Sequence, residues 1–405
     1  MLIVAAVLIA YLPAINNGFI ADDYVILHRV DLIKEDPLYL FSVVPENFRF
    51  TTYVVFGALR GLFAYDARPF YLFNLLLHAV NCLLLCRIVL EITNNSAIAV
   101  AGSVFFAVFQ APQEAVMWLA AMNETLCAFF LFVTVLLWFR GRYFLTSLTF
   151  LAALFSKETA VLFVVLLPVM EWLRARRSPV AAYLALAIPA AIFASVFLWT
   201  FSRNFQVGQG TYALGTHAVV VFLKSLHRLL WPWGYVAAVI VWRRAKERIP
   251  LNARVFAALI PITMLPYVFV TYTNNIPSRQ LYLASAIFVM LFAAALWSLP
   301  SNRWRRLLTV AFVGFNIFYM WAVKDAQMVK RAAPTTQLRE ELAKHSPATV
   351  RIRGFEYPFG GIANSVALTL PGWRWEDVDL AESCGDCLLL DWDRSALKYH
   401  VTVNR

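Results

Sequence analysis

Charged residues are scarce in this chain of 405 residues: Asp, Glu, Lys and Arg make up 15% of it, against 61% for hydrophobic residues. Soluble domains carry about a quarter charged residues. This deficit and a mean hydropathy of +0.66 exclude a soluble globular protein. Internal repeats of 20–50 residues and low-complexity linkers are also missing, which argues against a repeat protein or domains joined by flexible linkers. The sequence therefore predicts an integral membrane protein.

Cysteine is rare as well, with five residues. Cys82, Cys86 and Cys127 fall in apolar segments, where cysteine usually behaves as a small hydrophobe. The other two form the motif Cys384-Gly-Asp-Cys387. A single CxxC pair with one nearby histidine is a weak zinc set, so we prefer a local disulfide or two free thiols over metal binding or redox activity.

Long apolar segments dominate the rest of the chain. A transmembrane helix needs about 20 apolar residues, and hydropathy predicts about eleven spans. They cover residues 2–20, 69–92, 96–113, 115–139, 143–157, 159–173, 179–201, 216–241, 254–272, 281–299 and 307–323. The segment 216–241 is the weakest because charges and a Pro232-Trp233-Gly234 break interrupt it, and it is taken as one span. The first span has no basic flank and no small-residue cleavage site, so we do not expect a removable signal peptide.

Basic clusters orient these spans. Four loops carry them, at residues 140–142, 174–177, 243–248 and 303–306. All four lie on one side of the membrane if Asp22 and Asp23 lie on the other, and cytoplasmic loops collect Lys and Arg. The net charge of +11 therefore indicates cytoplasmic loops and not nucleic-acid binding. The acidic pair is predicted to face outward.

Two domains are expected. Residues 1–324 form an all-α polytopic membrane domain, whose long first outer loop, 17–68, suits short amphipathic helices on the membrane surface. Hydropathy falls after about residue 324, and 325–405 are predicted to form a small extracytoplasmic domain of α/β or β type. Alternating residues in 348–359 and 387–403 predict short strands there.

The acidic pair Asp22–Asp23 has several interpretations. Taken alone it is best read as the N-cap of a surface helix, because Asp favours that position. A catalytic base or a metal ligand is the alternative. Glu114, at the outer junction of two spans, is as well explained by a second active-site carboxylate as by a solvated turn. Glu124 lies deeper in a span, where an acid must be paired or functional.

Polar residues also mark one face of the second span. Asn74, His78 and Asn81 follow i, i+4, i+7 spacing, which places them on one side of a helix. A lone histidine in such a span usually makes an interhelical hydrogen bond. His78 is therefore either a structural residue or part of a polar cavity.

Cations on the predicted outer side are more informative, because the positive-inside rule should remove them. They are Lys157, Arg203, Lys224, Arg228 and Arg279. Arg and Lys are the usual partners of phosphate, so an anionic head group at the outer interface explains them. Ion pairs with Glu114, Glu124, Glu158 or the acidic pair are the alternative for one or two of them.

Five short motifs occur in a family-like order over residues 1–325. They are Asn17-Gly-Phe-x-x-Asp-Asp-Tyr24, Arg68–His78, Gln113–Trp118, Ser156-Lys-Glu158 and Ser278-Arg-Gln-Leu-Tyr282. Together they resemble the membrane glycosyltransferases of the C-type fold, and most of all the protein O-mannosyltransferase superfamily. That superfamily includes the transmembrane mannosyltransferases with tetratricopeptide repeats, which this chain lacks. Gln280 stands where relatives often have an aromatic residue or another hydrophobe.

The resemblance implies an inverting hexosyl- or mannosyltransferase that uses a polyprenyl-phosphate sugar outside the cytoplasm, with a protein, lipid or glycan acceptor. It implies a base from the acidic pair, for which we favour Asp22, with Asp23 assisting or coordinating a metal. It leaves the cofactor open: the positive charge on the departing phosphate comes from Arg, Lys or a divalent ion, and Asp22, Asp23 and Glu114 are the candidate ligands of such an ion.

The same resemblance assigns the other polar residues. Arg279 and Lys157 are the first candidates for the donor phosphate, followed by Arg203, Arg228 and Lys224. His78, Glu158 and Tyr282 are expected to line the cavity.

A secondary transporter or lipid flippase for an anionic substrate is the alternative, since it would also show intramembrane His, Glu and Lys. The matching inverted halves of many transporters are not apparent in the sequence. The expected location is the bacterial inner membrane, with the site facing outward and in contact with membrane lipids.

Overall fold

The structure is a computed structural model that is mostly helical, with a small sheet near the C-terminus. This confirms the coarse fold prediction. It describes residues 1–41, 49–173, 178–204, 208, 210–244, 251–271, 273–274, 276–357, 361–382, 385 and 387–404.

The first half of the chain is helical from its second residue. Its helices are α1 (Leu2–Tyr11), α2 (Asp22–Glu35), α3 (Phe50–Phe63), α4 (Ala67–Thr93), α5 (Ser96–Val108), α6 (Glu114–Met117), α7 (Met122–Phe139), α8 (Tyr143–Leu154), α9 (Phe163–Leu173) and α10 (Val180–Thr200). The helices α2 and α3 lie within residues 17–68, the segment that the sequence analysis predicts to be an outer loop with short helices.

The second half continues the pattern. Its helices are α11 (His217–Leu230), α12 (Trp233–Arg243), α13 (Leu251–Met264), α14 (Tyr282–Trp297), α15 (Asn302–Tyr319), α16 (Asp325–Leu342) and α17 (Ile362–Ala367). The predicted span 216–241 is built from α11 and α12, which meet at Trp231–Pro232.

Five helical stretches in the described ranges are long and apolar enough to cross a membrane. They are Ala67–Thr93, Leu119–Phe139, Val180–Thr200, Ser278–Trp297 and Asn302–Leu342. Several shorter apolar helices, such as Ser96–Val108 and Tyr143–Leu154, lie among them. The figure of eleven spans stays a prediction.

The last stretch passes the expected domain boundary without a break. A π-helical turn, Met320–Lys324, joins α15 to α16. The polar helix α16 therefore extends directly from an apolar one, and it connects the helical bundle to the C-terminal sheet.

The C-terminal sheet has four strands, β1 (Val350–Arg353), β2 (Val378–Leu380), β3 (Cys387–Asp393) and β4 (Lys398–Asn404), in the order β2-β1-β3-β4. The strand β1 pairs in parallel with β2 and β3, while β3 and β4 form an antiparallel pair. The strands predicted within 348–359 and 387–403 are confirmed, and β2 is an addition to them.

Small residues let the apolar helices approach closely, as is usual where lipid removes the hydrophobic driving force. Gly102 in α5 is an example, because a Cβ there would lie 2.3 Å from the sulfur of Met290 in α14. Aromatic side chains then fill the core between these helices, among them Phe105, Phe292 and Phe312.

Candidate functional site

The segment 109–121 connects α5 to α7 and is buried throughout except for Glu114, which is half-buried. It contains the short helix α6 and a 3-10 turn, Leu119–Ala121. Most of its backbone lies outside regular helix, so many of its N–H and C=O groups need partners from elsewhere.

Those partners are side chains from distant parts of the chain. Two side chains donate to its carbonyl groups: Tyr11 to Phe109 O, and Asn74 to Ala115 O and Val116 O. Three side chains accept from its N–H groups: Asn316 from Gln110, Ser278 from Glu114, and Asp23 from Ala120. The segment is thus fixed from several sides, which gives the residues on it defined positions.

The structure separates the two members of the acidic pair. Asp23 is fully buried. Its two carboxylate oxygens accept from Ile20 N at 2.7 Å and Ala120 N at 2.5 Å. Burial raises the pKa of Asp23 well above its ordinary value, and the two N–H donors only partly offset this effect. Asp23 ties the start of α2 to the segment 109–121 and has no free oxygen for a substrate.

Asp22 is the first residue of α2 and is exposed. Its carboxylate has no hydrogen bond or ion pair with the part of the chain that the structure describes. Burial is the largest cause of the raised pKa of Tyr357; Arg331 acts to lower this pKa, and Glu356 and, to the smallest extent, Asp22 raise it. Asp22 therefore lies at the solvent-accessible rim of the site.

Replacing Asp23 with Asn is expected to destabilise the protein by about 1–3 kcal/mol, because an amide offers one acceptor to two buried N–H donors. Thermal unfolding in detergent measures this. Asp22→Asn is the matched control, and it should cost less than about 1 kcal/mol, since it removes only an exposed charge at a helix N-terminus. Equal stability of the two variants would contradict the anchoring role of Asp23.

Glu114 connects three elements. Its Oε2 accepts from Ser278 N at 2.7 Å and Arg279 N at 3.3 Å, and its Oε1 pairs with Arg331 Nη1 at 2.7 Å. Burial acts to raise the pKa of Glu114, but Arg279, Arg331 and the two N–H groups outweigh it and lower the pKa. The stability from this carboxylate is therefore present above its ordinary pKa and is lost as pH falls through the depressed value.

Trp118 contacts both cations of this cluster. The guanidinium groups of Arg279 and Arg331 lie over its indole ring, 4.5 Å and 4.4 Å from the ring centroid. Its Nε1 donates to Ile20 O at 3.3 Å, which links the ring to the segment preceding Asp22. The arrangement places one carboxylate and two guanidinium groups, all of them half-buried, around one aromatic ring, and we call Glu114, Trp118, Arg279 and Arg331 the Trp118 cluster.

Lys157 lies in a different, buried network. Its ammonium pairs with Glu124, and the side chains are 5% and 2% exposed. Tyr267 donates to the other oxygen of Glu124 at 3.1 Å and shares a hydrogen bond with Thr159. The charge of Lys157 is therefore balanced inside the protein.

His78 and Tyr282 also belong to the interior. His78 Nδ1 lies 2.6 Å from the hydroxyl of Tyr282, and Asn81 donates to the same hydroxyl at 3.1 Å. Both rings are fully buried and pack edge-to-face with Phe106. The structure thus gives His78 an interhelical hydrogen bond across α4 and α14.

The cations of α11 hold a loop. Lys224 Nζ donates to Thr273 O at 2.7 Å, and Arg228 Nη1 donates to Ile276 O at 2.5 Å. This loop leads directly into Arg279. Arg203 ends the 3-10 turn Phe201–Arg203, and its side chain lies outside the described residues.

Glu158 begins the 3-10 turn Glu158–Leu162 and is half-buried, with its Oε1 lacking a hydrogen-bond partner in the described ranges. Burial and then Glu158 raise the pKa of Tyr212, whereas Arg49 and Arg279 lower it. Glu158 and Arg279 therefore both lie within electrostatic range of Tyr212.

No group of three His, Cys, Asp or Glu side chains that could hold a metal ion occurs within the described ranges. Of the three acids predicted as metal ligands, Asp23 and Glu114 have their oxygens engaged as above. Cys387 is disulfide-bonded, and Cys384 of the same motif lies outside the described residues.

Two members of the site were missed by the sequence analysis. Arg331 lies in a polar tail helix beside Lys330, where a basic pair usually indicates a solvated surface. Trp118 is part of a quoted motif, but nothing in the motif indicates a ring contacted by two guanidinium groups. Only the ion pair between Arg331 and Glu114, 217 positions apart, reveals the first of them.

Comparison of the chain with protein-family models gave no match, and neither did comparison with curated proteins.

Proposed function

We propose that the protein is an inverting glycosyltransferase that moves a sugar from a polyprenyl-phosphate donor to a hydroxyl of a protein, lipid or glycan. The observation that carries the proposal is the division of the acidic pair. Both carboxylate oxygens of Asp23 accept hydrogen bonds from backbone N–H groups, so Asp22 is the exposed carboxylate of the pair, and it lies beside the Trp118 cluster.

The chemistry needs a base and a cation. The carboxylate of Asp22 takes the proton from the acceptor hydroxyl while the acceptor oxygen attacks the sugar C1. The bond between C1 and the phosphate oxygen breaks, and polyprenyl phosphate leaves with one more negative charge. Positive groups aimed at that phosphate lower the barrier.

Arg279 is assigned to the departing phosphate. Its guanidinium rests on Trp118 and has no ion pair or hydrogen bond with other described residues. Arg228 and Lys224 hold the loop before it and act as positioning residues. Lys157 is left out of this assignment because Glu124 already neutralises it.

The motifs that resemble the protein O-mannosyltransferase superfamily support the same assignment. The motif Asn17–Tyr24 supplies Asp22, Gln113–Trp118 supplies Glu114 and Trp118, and Ser278–Tyr282 supplies Arg279. These motifs meet around the segment 109–121. The C-type fold, the eleven spans and an outward-facing site in the bacterial inner membrane are part of the proposal.

The test uses purified protein in lipid nanodiscs with a polyprenyl-phosphate hexose, beginning with mannose. Release of free polyprenyl phosphate together with a glycosylated acceptor is the expected result. Flipping or uptake of an anionic substrate by the protein in vesicles, with no glycosyl product, would decide for a transporter instead.

Arg279→Ala is expected to raise the Kd for the donor by about ten- to a hundredfold, because hydrogen bonds to a charged group contribute about 1.5–3 kcal/mol. Equilibrium binding of the donor measures this. Arg374→Ala is the control, since Arg374 is exposed and pairs only loosely with exposed Glu376. Unchanged donor affinity in Arg279→Ala would show that this guanidinium serves the Trp118 contact alone.

A further inference from the structure

Positive charge exceeds negative charge in the Trp118 cluster. Two guanidinium groups lie over one ring, and Glu114 supplies the carboxylate that bonds Arg331. Arg331 and Glu114 are 33% and 15% exposed, so solvent and ligands reach them. An excess of cations at a reachable site favours an anionic ligand.

The C-terminal domain holds Arg331 in this cluster. The hydroxyl of Tyr357 donates to Arg331 O at 2.8 Å, and the hydroxyl of Tyr399 in β4 donates to Pro334 O at 3.0 Å. On the other side of α16, Thr335 donates to Phe19 O at 3.1 Å. The helix is thus fixed between the sheet and the segment that leads into Asp22.

Close packing at Gly18 supports the same point. A Cβ at Gly18 would lie 2.6 Å from the Oγ1 of Thr336 in α16. The backbone before the acidic pair and the helix that carries Arg331 therefore meet without room for a side chain. This contact and the hydrogen bond from Thr335 to Phe19 O bring α16 next to the backbone that leads into Asp22.

We infer that the C-terminal domain completes an anion site, in which Arg331 and Arg279 together bind the phosphate group of a lipid-linked ligand. The phosphate chemistry follows from the two guanidinium groups, whose planar donors suit phosphate oxygens. The lipid-linked form of the phosphate rests on the proposed function. Residues 325–405 then contribute directly to ligand binding.

Glu114 forms an ion pair with Arg331. Its Oε1 takes a guanidinium N–H of Arg331, while its Oε2 is held by the N–H groups of Ser278 and Arg279. A guanidinium has five N–H donors, so a phosphate oxygen can replace or join Oε1 while Oε2 stays in place. The carboxylate of Glu114 therefore competes with the ligand for Arg331.

The experiment compares three variants of the full chain in nanodiscs. Arg331→Met removes the guanidinium and keeps an apolar stem, Glu114→Gln removes the competing charge, and Lys330→Ala removes a neighbouring exposed cation as the matched control. The probes are a polyprenyl monophosphate and, separately, inorganic phosphate. Binding is measured by calorimetry, and thermal unfolding reports whether each variant is folded.

Arg331→Met should weaken binding of polyprenyl monophosphate by about tenfold or more, as expected for loss of a charge-assisted hydrogen bond. Lys330→Ala should leave it unchanged, and Glu114→Gln should keep or improve it. Weaker binding of both probes by Arg331→Met shows that the site binds phosphate in either form. Weaker binding of the lipid alone shows that the site binds a lipid-linked phosphate. Equal losses in Arg331→Met and Glu114→Gln, or none in either, would overturn the inference and leave a structural ion pair.

Binding and transfer are separate readouts here. Phosphate binding that depends on Arg331, in a protein that transfers no sugar, would sink the proposed glycosyltransferase and leave this anion site standing. Sugar transfer by the protein, together with unchanged affinity of Arg331→Met for polyprenyl monophosphate, would support the proposed glycosyltransferase and overturn this anion site.

Discussion

Asp22→Asn is expected to lower the rate of sugar transfer by at least about a hundredfold while the fold and donor affinity survive. General base catalysis contributes about 10²–10⁴-fold, and an amide cannot take the acceptor proton. Asp22 is exposed and makes no contact in the described structure that the substitution would break. Single-turnover assays with saturating donor measure the chemical step.

Glu35→Gln is the matched control, because Glu35 is an exposed carboxylate at the other end of α2. It should keep full activity. Asp22→Glu should retain part of the rate, since it moves a carboxylate and does not remove it. Near-normal transfer by Asp22→Asn would rule out this residue as the base and with it the division of roles within the acidic pair.

Lys157→Met is expected to give the largest loss of stability among the changes considered, about 3–5 kcal/mol. The substitution leaves Glu124 buried without its counter-charge, at a site where both side chains are almost inaccessible. Thermal or denaturant unfolding in detergent measures it. Lys344→Met breaks the pair between exposed Lys344 and half-buried Glu341 and is the matched control, with an expected loss below about 1 kcal/mol.

The double variant Lys157→Met with Glu124→Gln separates stability from ligand binding. Removing both charges should restore most of the stability, because no lone charge then remains buried. Wild-type donor affinity in this variant agrees with a structural ion pair. If the double variant folds well but no longer binds the donor, Lys157 contributes to binding of the donor phosphate.

Local periodicity carried the successful sequence predictions. The spacing of Asn74, His78 and Asn81 predicts one helix face, and all three make hydrogen bonds from α4 to neighbouring segments. The alternation in 387–403 predicts strands that the structure contains. Both patterns depend on residues within a few positions of one another, so backbone geometry alone fixes them.

Long-range pairing could not be predicted in the same way. Hydropathy identifies Glu124 as an acid that must be paired or functional, but Lys157 is one of five cations on the predicted outer side that could pair with it. Arg331 meets Glu114 only because α15 continues through a π-helical turn into α16. Composition places the domain boundary at residue 324, whereas the helix crosses it, and that continuity brings a tail residue to the site.

The interlocked segment 109–121 has a consequence for biogenesis. Its backbone is hydrogen-bonded to Tyr11 and Asp23, which are synthesised earlier, and to Ser278 and Asn316, which are synthesised much later. The hydrogen bond from Gln110 N to Asn316 joins residues 206 positions apart. Unpaired backbone groups are costly away from water, so we expect the hydrogen bonds of this segment to be completed only after α15 has been inserted. The helices can enter the bilayer in order, but we expect the site to form only after α15 has been synthesised, so that a correctly formed site requires nearly all of the helices to be in place.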